Sequence, residues 1–241
     1  MVVLAVSAVC MFAFTSTSAF AVDQLFTGTA GVELRDVNTP TAYQPSAIEL
    51  VATETTKLEI PGVNTSECTE GEFGAFVTEN KGVTDPAEDP TISVPFGVFE
   101  NCTLLTGGAN APVYVDTEGA VNSSQITAVI NDDGAPNPIN VVLKHLEISL
   151  YIKGATETTI CKFGGSGPAG TITGAWTNGA GPFTEEASTN QTMVDFKGQE
   201  LSGNCNGTAL KASIKSAKFF VETTSDAKDF SGNSDTVFYK I

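Results

Sequence analysis

The chain has 241 residues, with 28 acidic side chains against 12 basic ones and a formal net charge of −16. A surface so acidic repels phosphate backbones and anionic lipid, which sets aside nucleic-acid binding and docking on anionic membranes. Phe, Ile, Leu and Val recur in short bursts between Gly, Thr, Ser, Asn and Pro, the composition of a folded all-β protein.

Met1 to Phe14 is a nearly continuous apolar run. Thr15-Ser16-Thr17-Ser18 follows it, then Ala19-Phe20-Ala21 before Val22. An apolar stretch closed by a small-x-small site predicts a secretory signal peptide over residues 1–21, with the mature chain beginning at Val22, secreted or held at the cell envelope. No Lys or Arg precedes the run, and the first positive side chain is Arg35. An uncleaved anchor is the rival reading, but the run is short against the about 20 apolar residues that span hydrocarbon. Lipidation at Cys10 is disfavoured because Val9 stands where a small residue is needed and the apolar run continues past it. No second stretch of spanning length follows, so no membrane span is expected after cleavage.

Further along, the segment from Glu79 to Pro90 reads as an exposed excursion with Pro86 and several acids. Ile92, Val94 and Phe96 alternate with polar residues as in a half-buried strand, and Pro95 marks an edge or a bulge because it cannot donate to a ladder. Val113 and Val115 flank Tyr114 in the same way. Asn131-Asp132-Asp133-Gly134, with Pro136 and Pro138, is a loop. The plainest alternation lies within 141–153, where Leu146, Ile148, Leu150 and Ile152 face inward and His145, Glu147, Ser149 and Tyr151 outward. Gly164-Gly165-Ser166-Gly167-Pro168 is a second loop; Thr171-Ile172-Thr173 and Val237-Phe238-Tyr239 have strand composition. Leu210 to Val221 suits a helix or a strand, and Phe219-Phe220-Val221 favours strand. Short strands without long intervening helices predict an antiparallel β-sandwich or jelly roll. It would fill 22–241 as one region or as two halves, 22–138 and 139–241.

With Cys10 removed, Cys68, Cys102, Cys161 and Cys205 remain, and four cysteines permit three connectivities. The two halves look alike: Gly74-Ala75-Phe76 follows Cys68, Gly174-Ala175-Trp176 follows Cys161, and Asn101 and Asn204 precede the closing cysteines. That likeness favours the sequential pairs Cys68–Cys102 and Cys161–Cys205 and suggests an internal duplication. A zinc site is disfavoured, since there is one His and no Cys-x-x-Cys. In layout (signal peptide, acidic mature chain, two spaced cysteine pairs, Gly/Thr-rich strands) the chain resembles small secreted proteins of unknown function from actinobacteria. The resemblance implies secretion and carries no catalytic residues.

The chain offers chemical candidates rather than a motif. His145 stands alone, and general acid–base work by histidine needs an orienting partner. Ser166 lies in a glycine loop, but Pro168 occupies the place of the final Gly of a nucleophile elbow. The acid pairs Glu185-Glu186 and Asp132-Asp133 carry no more than the ordinary expectation of solvated loops. Asp226, Asp229, Asn233 and Asp235 crowd one short segment and form a candidate calcium site, because hard cations take oxygen ligands. Trp176, the sole tryptophan, is either a core residue or a ligand platform. Five Asn-x-Ser/Thr triplets begin at Asn64, Asn101, Asn122, Asn190 and Asn206. The sequence therefore predicts a secreted, disulfide-stabilised, non-enzymatic β protein with a structural, binding or adhesive role toward an extracellular or envelope partner. A carbohydrate-binding or carbohydrate-active module is the alternative.

Overall fold

The structure, a computed structural model, describes residues 24–27, 32–37, 46–62, 64–80, 89–106, 109–112, 114–119, 126–131, 139–152, 158–179, 191–224 and 235–240. Its strands are β1 (Gln24–Thr27), β2 (Val32–Glu33), β3 (Ala47–Ala52), β4 (Thr56–Ile60), β5 (Asn64–Glu79) and β6 (Thr91–Thr106). Next come β7 (Ala109–Pro112), β8 (Tyr114–Gly119), β9 (Ile126–Asn131), β10 (Asn140–Lys144), β11 (Leu146–Ile152) and β12 (Thr158–Gly164). The chain then forms β13 (Ile172–Thr177), β14 (Met193–Asp195), β15 (Glu200–Cys205), β16 (Thr208–Ser216), β17 (Lys218–Thr224) and β18 (Asp235–Lys240). One short 3-10 turn, Gly167–Gly170, interrupts the strands, and no α-helix occurs among the described residues. The ambiguous segment 210–221 is strand on both sides of Ala217, which separates β16 from β17.

Most of these strands join end to end into eight long staves, each antiparallel to the next in the chain: β3–β4, β5, β6, β7–β9, β10–β11, β12–β13, β14–β15 and β16–β17. The last stave pairs with the first, Phe219 opposite Ala52 and Ile214 opposite Leu58, so the sheet closes on itself. The expected sandwich is thereby corrected: the fold is a closed eight-stranded barrel with added strands, not two stacked sheets. Closure removes the free edges that a sandwich must protect. One rim consists of β4, β5, β6, β8, β11, β12, β15 and β16, the other of β3, β5, β6, β9, β10, β13, β14 and β17, with the long β5 and β6 running through both.

Inward positions are apolar and form a single main core that includes Leu50, Leu58, Phe73, Ile148, Phe163, Phe196 and Phe219. Outward positions carry charge, as in the pairs Lys57–Glu67, Lys211–Glu200 and Lys215–Glu59. This alternation is the reverse of a membrane-spanning barrel, whose outside is apolar and inside polar. No described helix is long and apolar enough to cross a membrane.

Period-two alternation slips along several staves, once in β5 and twice in β6. In β5 the inward set passes from Ser66 and Cys68 to Phe73, Ala75 and Val77; in β6 from Ile92 and Val94 to Phe99 and then Cys102. His145, at φ 65°, separates inward Val141 and Leu143 from inward Leu146 and Ile148. Such bulges bend a strand and tighten its twist, which is how long strands coil around a small barrel. Pro95 sits exposed beside one of these slips, as its missing N–H predicts.

Both expected bridges are present, Cys68–Cys102 and Cys161–Cys205, with Cα atoms 4.0 Å apart in each. Each joins residues directly opposite on neighbouring strands. They lie in the same rim, on the second and third staves and on the sixth and seventh. The other rim is closed by β1, β2 and β18, whose Leu25 and Val237, with Leu34, enter the main core. Buried Asn80 fastens this cap: its Nδ2 donates to the Leu25 and Leu34 carbonyls at 3.0 and 2.8 Å, and its Oδ1 accepts from Leu25 N–H at 2.8 Å.

Candidate functional site

His145, outward in the sequence reading, sits at a bulge, with Nδ1 buried and without a hydrogen-bond partner. Glu147 does not orient it. That carboxylate is buried against Lys162, whose Nζ lies 2.6 Å from Oε1. Ser166 is exposed just before the short 3-10 turn, in a loop held by Gly165 N–H donating to the Leu146 carbonyl at 2.8 Å.

Trp176 lies in β13 with its ring in the main core and only 5 % of its surface exposed. Its indole N–H donates to Asn178 Oδ1 at 2.8 Å. A ring buried between the walls of a barrel offers no surface platform, so the core reading holds and the platform is withdrawn. The likeness of Gly174-Ala175-Trp176 to Gly74-Ala75-Phe76 does not extend to packing. Phe76 stands between inward Ala75 and Val77 and so faces outward, whereas Trp176 faces inward.

Of the candidate calcium ligands, Asp226, Asp229 and Asn233 lie outside the described residues, and Asp235 opens β18 opposite Thr223. Glu185, Glu186, Asp132 and Asp133 also lie outside them, as do residues 1–21. Among the described residues no three His, Cys, Asp or Glu side chains are grouped to hold a metal ion.

What the fold does assemble lies on the outside of β3, β5 and β6. Here Val51, Ala52, Thr69, Glu70, Gly71, Glu72, Val98 and Glu100 line a groove of about 290 Å³. Its position follows from the reversal of phase in β5: Thr69 and Glu70 are both exposed there, and Glu70 stands directly opposite Glu100 on β6. Glu72 pairs with Val51 on one side and Val98 on the other, and Val98 is 44 % exposed. Asn101, at φ 52° beside the bridge, donates from Nδ2 to Glu70 Oε1 at 2.9 Å. Among the described residues no Lys or Arg pairs with Glu70, Glu72 or Glu100. The groove therefore combines an apolar floor with negative charge that no described Lys or Arg offsets.

The charge continues along the sheet. Glu49 on β3 stands opposite Glu222 on β17 and hydrogen-bonds to Glu72. Burial first, then repulsion from Glu72 and Glu222, pushes the Glu49 carboxyl up to about 7. The sequence signal for this site, Glu70-Gly71-Glu72, is an ordinary acidic stretch until strand pairing brings Glu100, Glu49 and Glu222 to it. Comparison with protein-family models, curated proteins and solved structures found no match for this chain.

Proposed function

We propose that this chain is a secreted, non-enzymatic binding protein whose barrel holds a cationic partner in the acidic groove of β3, β5 and β6. The observation that carries the reading is the set of three carboxylates, Glu70, Glu72 and Glu100, with no Lys or Arg partner among the described residues, around a floor containing exposed Val98. A Lys- or Arg-bearing peptide segment suits that surface: its methylene stem covers Val51 and Val98 while its charged head meets the carboxylates. Secretion to the extracellular space or the envelope is supported by the two bridges, which persist in oxidising compartments. Placement of the bridges on the second–third and sixth–seventh staves, four staves apart, supports an origin by duplication of a four-stave half.

Calorimetric titration with a lysine tetrapeptide tests the assignment. Saturable binding that weakens with added salt and falls at least tenfold in the triple variant Glu70→Gln/Glu72→Gln/Glu100→Gln is expected. Equal binding by that variant, or equal binding of a glutamate tetrapeptide, overturns it.

A further inference from the structure

Glu72 of the groove hydrogen-bonds to the half-buried carboxyl of Glu49 on β3. Strand register explains the contact. Glu49 stands directly opposite Gly74 on β5, which has no side chain to fill the gap, while Glu72 stands opposite Val51. The two acids are therefore diagonal neighbours on the outer face, a separation that long side chains bridge. Val51 and Glu72 line the groove, so Glu49 sits at its edge. Ionised carboxylates only accept hydrogen bonds, and a bond between two carboxyls needs a proton on one of them.

That proton belongs on Glu49. From β17 Glu222 stands directly opposite it, and from β5 Glu72 reaches it, whereas Phe220, Thr224 and Phe76 at the flanking positions carry no charge. On its own strand the next residues of the same phase are Ala47 and Val51. No Lys or Arg occupies any of these places. Burial and the two like charges hold the Glu49 carboxyl up at about 7, so it changes charge near neutral pH. Two states follow. Protonated, Glu49 donates to Glu72 and takes up part of that carboxylate's capacity to accept from a partner. Ionised, it releases Glu72 and adds a negative charge at the edge of the groove.

Resting on the groove reading above, we propose that the Glu49–Glu72 pair is a proton switch: a cationic partner is held weakly while the pair shares a proton and more tightly once that proton leaves. Coupling between two sites is reciprocal, so a partner settling in the groove expels the proton to the buffer. Calorimetry of the full chain with an N-acetylated lysine tetrapeptide tests this, because no group on that peptide titrates between pH 6 and pH 8. Affinity should be about fivefold higher at pH 8 than at pH 6, the low end of coupling between sites. At pH 7, buffers of different ionisation heat should reveal release of about a third of a proton per bound peptide, as that coupling requires of a half-protonated group. Glu49→Gln keeps a donor for Glu72 but has no proton to lose. It should bind at both pH values about as the parent does at pH 6, and release none. His145 and the amino terminus also titrate in this range, and both survive that substitution. A pH dependence that persists in Glu49→Gln therefore overturns the switch. Binding that is lost in Glu70→Gln/Glu72→Gln/Glu100→Gln, yet equal at pH 6 and pH 8 with no proton released, overturns the switch and leaves the groove standing. Absence of binding by the parent at either pH removes the groove and the switch together.

Discussion

Glu49 shows how one side chain ties the acidic face to stability. Its unfolded carboxyl titrates near 4.5, whereas in the fold burial and the neighbouring Glu72 and Glu222 raise it to about 7. Between those values this group makes the folded chain hold more protons than the unfolded one, so its contribution to stability is full below pH 4.5 and is lost as pH rises through 7. Glu49→Gln removes the charge that is expensive at high pH. The variant is expected to melt a few degrees above the parent at pH 8, and the parent's loss of melting temperature between pH 5 and pH 8 should shrink in it. Scanning calorimetry across that range checks the claim, and parallel curves for the two proteins would refute it. None of this was legible in sequence, because Glu49, Glu72 and Glu222 become neighbours only through the pairing of β17, β3 and β5. Trp176 shows the same limit from the other side: its type and context suited core and platform alike, and only its inward place on β13 decides between them.

At the scale of the strands, glycine and bulge positions carry the curvature. Gly203 faces Phe163 across β15 and β12, and a Cβ there would lie 2.0 Å from the Lys162 carbonyl oxygen and 2.7 Å from the Phe163 ring. The oxygen is backbone in a paired strand and cannot yield cheaply. Gly203→Ala is therefore expected to cost about 1–3 kcal/mol, the range of overpacked sites. Urea unfolding should show the midpoint fall with the slope unchanged, and a variant as stable as the parent would mean that this approach is not tight. Alternation over 146–151 could be read directly from the sequence because β11 keeps its phase there, the register shift at Leu150 and Tyr151 being taken up on β12. The slips at His145, in β5 and in β6 could not, since an isolated reversal of phase resembles the start of a loop. Residues 164–168 illustrate the partial case: the loop was evident from glycine and proline, its 3-10 turn was not.

For the whole molecule, the decisive contacts are the least local. The all-β class and the two bridges follow from composition and from the likeness of the cysteine segments, but closure depends on β16 and β17 meeting β4 and β3. Those partners lie far apart in the chain, and no local pattern announces them, which is why a sandwich and a barrel read alike in sequence. The bridges stabilise this closed sheet chiefly by shortening the unfolded chain's freedom. With sequence separations of 34 and 44 residues, each contributes about 4 kcal/mol in the chain-entropy treatment. They sit on separate stave pairs of one rim, so their effects should add. Cys68→Ser/Cys102→Ser and Cys161→Ser/Cys205→Ser are each expected to lower the melting temperature by roughly 10 °C, the second slightly more, and the fourfold variant by about the sum. Because the opposite rim is held by the Asn80 cap and not by sulfur, amide exchange in either pair variant should rise first in the bridged rim. In Cys68→Ser/Cys102→Ser that rise should appear in β4 and the start of β5, with β1, β2 and β18 still protected. Uniform loss of protection across both rims would show that the barrel opens as one unit, and an unchanged melt would deny the bridges any stabilising role.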